Sequence, residues 1–166
     1  MKHFGAVSKF AVLLLVLALP AVASAPIITV TPLAPIFVQS GPGGCPSFDV
    51  AIVPQQGRPN NGKTITFASG SFIIHGATFV TATNLANSKS INANISGPGH
   101  FSVSDNTLTV LGPSLDLGFQ NVGPADLPSN IVLAKGQAVL QFDNSGNVTS
   151  VSYTGAPPQD VCELLQ

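Results

Sequence analysis

Few side chains in this sequence have the chemistry of a catalyst. Beyond residue 25 the imidazoles are His75, in Ile74-His75-Gly76, and His100, in Gly99-His100-Phe101. Either could serve as a general base only with a substrate proton in hydrogen-bond reach and a partner to tune its pKa. Each abuts a glycine where a turn is expected, which suits a surface residue at a strand end. Asp49, Asp105, Asp116, Asp126, Asp143 and Asp160 are widely spaced, and Glu163 is the one glutamate. That spacing announces no carboxylate pair of the kind glycoside hydrolysis uses. Asp116 stands out because it sits between Leu115 and Leu117, on the opposite parity to both. An outward, solvated aspartate accounts for this as readily as a site does. His75, His100 and Asp116 are therefore the candidate site residues, with no catalytic role assigned to any.

The other chemical signals are weaker. No nucleophile elbow, zinc-binding helix or phosphate-cradling loop is present. Asp143-Asn144-Ser145-Gly146-Asn147 offers alternate oxygen side chains but lacks the distal glutamate of a calcium loop, so a hairpin turn is the better reading. No metal site and no cofactor are expected. Asn94-Ile95-Ser96 and Asn147-Val148-Thr149 fit the glycosylation acceptor pattern, which leaves their modification open. The absence of Trp and the single Tyr153 argue against stacking on sugars, and the phenylalanines are left either to fill a core or to line an apolar pocket.

The first residues give the chain an address. Lys2, His3 and Lys9 precede ten apolar residues at 10–19, then Pro20 and the small residues Ala21-Val22-Ala23-Ser24-Ala25. This is the order of a signal peptide spanning residues 1–25, cut after Ala23 or after Ala25. Ten apolar residues are about half of the roughly 20 a membrane-crossing helix needs, so no membrane span is expected and the mature chain should be secreted and extracellular. Past residue 25 four basic residues face seven acidic ones, a net charge of −3, and nucleic acid is not an expected partner. Export also places Cys45 and Cys162, the two cysteines, in an oxidising compartment, where a disulfide is expected between them. The alternatives are two buried thiols or a metal site, the latter poorly served without a nearby histidine.

The elements that must position these residues are extended. Residues 26–44 are rich in Pro and Gly and suggest a lead-in with at most a short strand at Ile36-Phe37-Val38. From residue 45 to 166 apolar residues recur at alternate positions: Phe48, Val50, Ile52; Ile65, Phe67; Ile91, Ala93, Ile95; Phe101, Val103; Leu108, Val110; Leu115, Leu117, Phe119; Ala138, Leu140, Phe142. A period of two marks strands with one buried face. No convincing helical period occurs, although residues 124–130 have room for a single turn. Gly, Asn and Pro turn signals at short intervals favour antiparallel neighbours. The expected fold is an all-β antiparallel meander of about nine or ten strands closing into a barrel, with a two-layer sandwich as the alternative. Residues 112–130 form the longer of two Gly-, Pro- and Asn-rich connections.

Taken together, Cys45-Pro46-Ser47-Phe48-Asp49-Val50, Gly62-Lys63-Thr64, Thr83-Asn84-Leu85 followed by Ser88-Lys89-Ser90, Gly97-Pro98-Gly99, Phe142-Asp143 followed by Gly146-Asn147-Val148, and Asp160-Val161-Cys162-Glu163-Leu164-Leu165 resemble a group of small secreted proteins, common in actinomycetes, that carry no assigned activity. The resemblance implies export, a β-domain and a paired cysteine at each end, and it carries over no catalytic residue. The function expected is that of a secreted, non-catalytic domain that binds a small apolar ligand or a cell-surface partner. Two rivals are a small barrel enzyme with a pocket near residues 112–130 and a structural envelope or matrix protein.

Overall fold

The computed structural model describes residues 24–117 and 131–166. Residues 1–23, which carry most of the expected signal peptide, and residues 118–130, which include Phe119 and the turn expected at 124–130, lie outside the described residues. The described chain is all-β. Its strands are β1 (Ile27–Val30), β2 (Ile36–Val38), β3 (Val50–Pro54), β4 (Lys63–Thr66), β5 (Phe72–His75), β6 (Phe79–Asn84), β7 (Ser90–Asn94), β8 (Gly99–Ser102), β9 (Thr107–Asp116), β10 (Val132–Phe142) and β11 (Val148–Asp160), followed by one helical turn, α1 (Val161–Leu164).

These strands form two antiparallel sheets. One has seven strands in the order β1-β4-β5-β8-β9-β10-β11, the other four in the order β2-β3-β6-β7. Neither closes on itself among the described residues, so the expected barrel is not what the strand pairing gives, and the two-sheet arrangement fits the sandwich alternative. Nor is the order a simple meander. The chain leaves one sheet for the other after β1, β3, β5 and β7, because each short hairpin buries only one face and the next must lie opposite it. The segment 26–44 supplies the strand expected at Ile36–Val38 and also β1, which pairs with β4 from Ile27↔Thr66 to Val30↔Lys63.

The four-stranded sheet shows the period of two directly. Val50, Ile52, Val80 and Ala82 are buried on one face, joined by Ile36, Val38, Ile91 and Ala93. Its other face is polar, with Thr81 Oγ1 donating to Asn92 Oδ1 at 2.8 Å and the Thr83 and Ser90 hydroxyls 2.9 Å apart. Leu115, Leu117 and Leu133 of the larger sheet pack on the same core. The chain's end closes it. Cys45 and Cys162 are disulfide-bonded, with Cα atoms 5.4 Å apart, and both lie in the core with Ile131, Val161 and Leu165.

Helix α1, which the apolar spacing does not announce, depends on its cap. The Asp160 carboxylate accepts from the Cys162 amide at 2.7 Å and the Glu163 amide at 3.4 Å, satisfying donors that a helix start leaves open. The β6–β7 turn then holds the tail: the Asn84 and Asn87 side-chain amides donate to the Leu165 carbonyl at 3.1 and 3.3 Å, and Lys89 Nζ donates to the Gln166 carbonyl at 2.6 Å. Thus the phrases at 83–90 and 160–165 are two halves of one contact. Phe67 and Val103, placed on inward parities by the sequence, are instead exposed, because both lie in turns past the ends of their strands, where alternation no longer applies.

Candidate functional site

Asp116 ends β9, the strand that carries one end of a glycine row. Gly136 pairs with Gly112 on one side and Gly155 on the other, and all three have positive φ, at +157°, +83° and +110°. A Cβ at Gly136 would run into the Thr154 carbonyl. Glycine allows the sheet to bend along this row, where other residues resist it. Gly97 lies against the bend: its amide donates to the Pro113 carbonyl at 2.8 Å, and a side chain there would meet that carbonyl and the one of Leu111.

The bend decides what Asp116 touches. Through Ala138, Tyr153 stands level with Val110, six residues before Asp116 and roughly 20 Å away along a straight strand. Nevertheless Tyr153 and Ser114 lie close enough to the Asp116 carboxyl to act on its proton affinity. The carboxyl is 7% exposed, and Ser114 equally so. Burial pushes the Asp116 pKa up from the ordinary carboxylate value, and hydrogen bonding from Tyr153 and Ser114 offsets part of that rise. Burial first, and then the neighbouring Asp116 charge, push the Tyr153 phenol up in turn. Even so, Asp116 Oδ2 and Ser114 Oγ have no hydrogen-bond partner of ordinary geometry among the described residues.

Both residues line a cleft of about 340 Å³ between this sheet and the end of β7, their unbonded oxygens being closed to water. Its other walls are Ile95, Leu108, Val110, Leu115, Leu117 and Leu140, with Gly97 at the bend. The surface is thus apolar, with an incompletely bonded carboxyl and hydroxyl buried directly behind it, and no Lys, Arg or His is among these lining residues. Such a wall favours an uncharged molecule that brings its own hydrogen-bonding group.

The structure separates the three candidate residues. His75, at the end of β5, and His100, in β8, are both exposed. His100 pairs with Ile73 and Thr109, whereas the cleft residues Leu108 and Val110 pair with Phe101 and Gly99, so both histidines stand on the opposite face from the cleft. Asp116 lines the cleft and is buried, which corrects the outward, solvated reading of its parity: past the glycine row alternate positions 114 and 116 face inward. Tyr153 and Ser114 were not sequence candidates. The only signal toward them was the glycine at 112, 136 and 155, whose alignment depends on the pairing register.

Asn94 is exposed, and Asn147 is engaged in its turn. That turn is the expected hairpin. The Asp143 carboxylate accepts from the Ser145 and Asn147 amides, each at 2.8 Å, and from Asn147 Nδ2 at 3.0 Å, with Gly146 at φ +84°. Among the described residues no group of three or more His, Cys, Asp or Glu could hold a metal ion, and no helix is long and apolar enough to cross a membrane. Compared with known families, curated proteins and solved structures, the chain matches none.

Proposed function

We propose that this is an exported, non-catalytic β-domain that holds a small, uncharged, largely apolar molecule in the cleft beside Asp116. The observation that carries the reading is the pair of buried, unsatisfied polar atoms, Asp116 Oδ2 and Ser114 Oγ, in a wall otherwise made of leucine, valine and isoleucine. Leaving such groups unbonded costs about 1–3 kcal/mol each, a cost that a ligand hydroxyl or carbonyl would remove. Export is supported by the signal-like first 25 residues and by the disulfide, which suits an oxidising compartment. Binding is favoured over catalysis because both histidines face away from the cleft and Asp116 has hydroxyl neighbours rather than a second base.

A methyl-resolved NMR titration with 1-octanol tests this. Saturable shifts are expected at Leu108, Val110 and Leu140. Asp116→Leu should weaken binding about tenfold, the worth of one hydrogen bond, while Asp116→Asn keeps most of it. Unsaturable or absent shifts in the unaltered protein would refute the reading.

A further inference from the structure

We infer that the Asp116 cleft is one end of a longer groove whose other end is a phenylalanine recess, and that the groove takes a straight-chain amphiphile with an uncharged head. This rests on the reading just proposed and names its ligand class. The second cavity, of about 510 Å³, is lined by Phe72, Phe101, Phe142 and Leu108, with Asn106, Asp143 and Asn144 among its polar lining. Leu108 lines both cavities. The strand register explains the continuity: Phe72 pairs with Phe101, Phe101 with Leu108, and Leu108 with Leu140, all on one face, and Phe142 follows Leu140 two residues on.

The rings form a built surface. Phe72 and Phe101 stack with centroids 4.9 Å apart, and Phe142 meets Phe101 edge-on at 5.9 Å. All three remain only half-buried, while the closed core lies elsewhere, under the four-stranded sheet. Asp116 and Ser114 lie in the first cavity and the rings in the second, with Leu108 shared between them. A molecule that fills the first cavity alone does not reach the rings. A linear chain can, with its head bonded to Asp116 and Ser114, its middle across Leu108 and its tail against the rings. The head must be uncharged, since no cation among the lining residues would balance an acid.

The test is a series of 1-alkanols from hexanol to dodecanol, titrated against the full chain. Affinity should rise about fourfold per methylene, the worth of burying each CH₂. In the unaltered protein dodecanol should shift the ring signals of Phe72, Phe101 and Phe142, and hexanol should leave them unmoved. Leu108→Trp, which blocks the shared wall, should retain hexanol and flatten the rise. A rise that stops at hexanol or octanol, with the phenylalanine signals still, overturns the long groove but leaves the cleft reading standing. Failure of every alkanol to bind sinks both.

Discussion

The four-stranded sheet and the far half of the seven-stranded sheet are written with the same period of two, yet they are closed to different degrees. Val50, Ile52 and Val80 are fully enclosed, sealed by the disulfide and the capped turn of α1. Phe72, Phe101 and Phe142 are larger, yet stay only partly buried against one another. Alternation selects which face turns away from water, but what covers that face is settled by long-range partners. For the first sheet the partner is the chain's own tail, 117 residues from Cys45 to Cys162. Closure of this kind gives stability, whereas an uncovered apolar face gives a place to bind.

The largest expected effect lies in the closed half. Opening the loop with Cys45→Ala and Cys162→Ala together should cost about 4–5 kcal/mol in urea unfolding, as the chain-entropy estimate for a loop of this length gives. Typical domains have about 5–15 kcal/mol in total, so the variant should be marginal. A loss below about 1 kcal/mol would mean that the tail is held by Asn84, Asn87 and Lys89 instead, and that closure does not depend on the sulfurs.

A pair of truncations sharpens the same contrast. Ile52→Ala empties a fully buried site and should cost about 3–4 kcal/mol. Phe101→Ala removes more carbon but should cost less, about 2 kcal/mol, since the ring is only partly covered and its two ring contacts contribute about 0.5–1.5 kcal/mol each. Thermal or urea unfolding of both variants decides the point. Equal costs would make the phenylalanine recess part of the core and remove its case as a groove.

Much of the closed half was legible in the sequence. Phe48, Val50 and Ile52 share a parity and are all buried, and the cysteines pair; in the other sheet, Asp143 to Asn147 makes the expected turn. The candidate site was legible only in Asp116, and for an incomplete reason. Its parity opposite Leu115 and Leu117 is visible locally, but its burial depends on the alignment of three glycines from three strands, a fact of register rather than of spacing. Tyr153 was hidden for the same cause, being 37 positions from Asp116 in sequence. His75 and His100 attracted attention by residue type alone, and the pairing of His100 with Thr109 places it on the face away from the cleft.

The smallest effects, and the most specific, come from two aspartates that titrate in opposite senses. Asp116 has its pKa raised chiefly by burial, so the folded chain holds that proton more tightly than the unfolded one. Its stabilising contribution is complete below the unfolded carboxyl's pKa of about 3.9 and is lost as pH rises through the higher folded value. Asp143 has its pKa lowered, chiefly by the Asn147 side chain and then by backbone amides, so its contribution is present at neutral pH and lost as pH falls through the folded value. Urea midpoints from pH 3 to pH 7 should therefore show Asp116→Asn gaining on the unaltered protein as pH rises. Asp143→Asn should fall behind at neutral pH and draw level in acid, by a smaller margin because that carboxylate stands in water. If the two differences slope the same way with pH, Asp116 is not held in a dry wall, and the distinction between the cleft and an ordinary surface turn is lost.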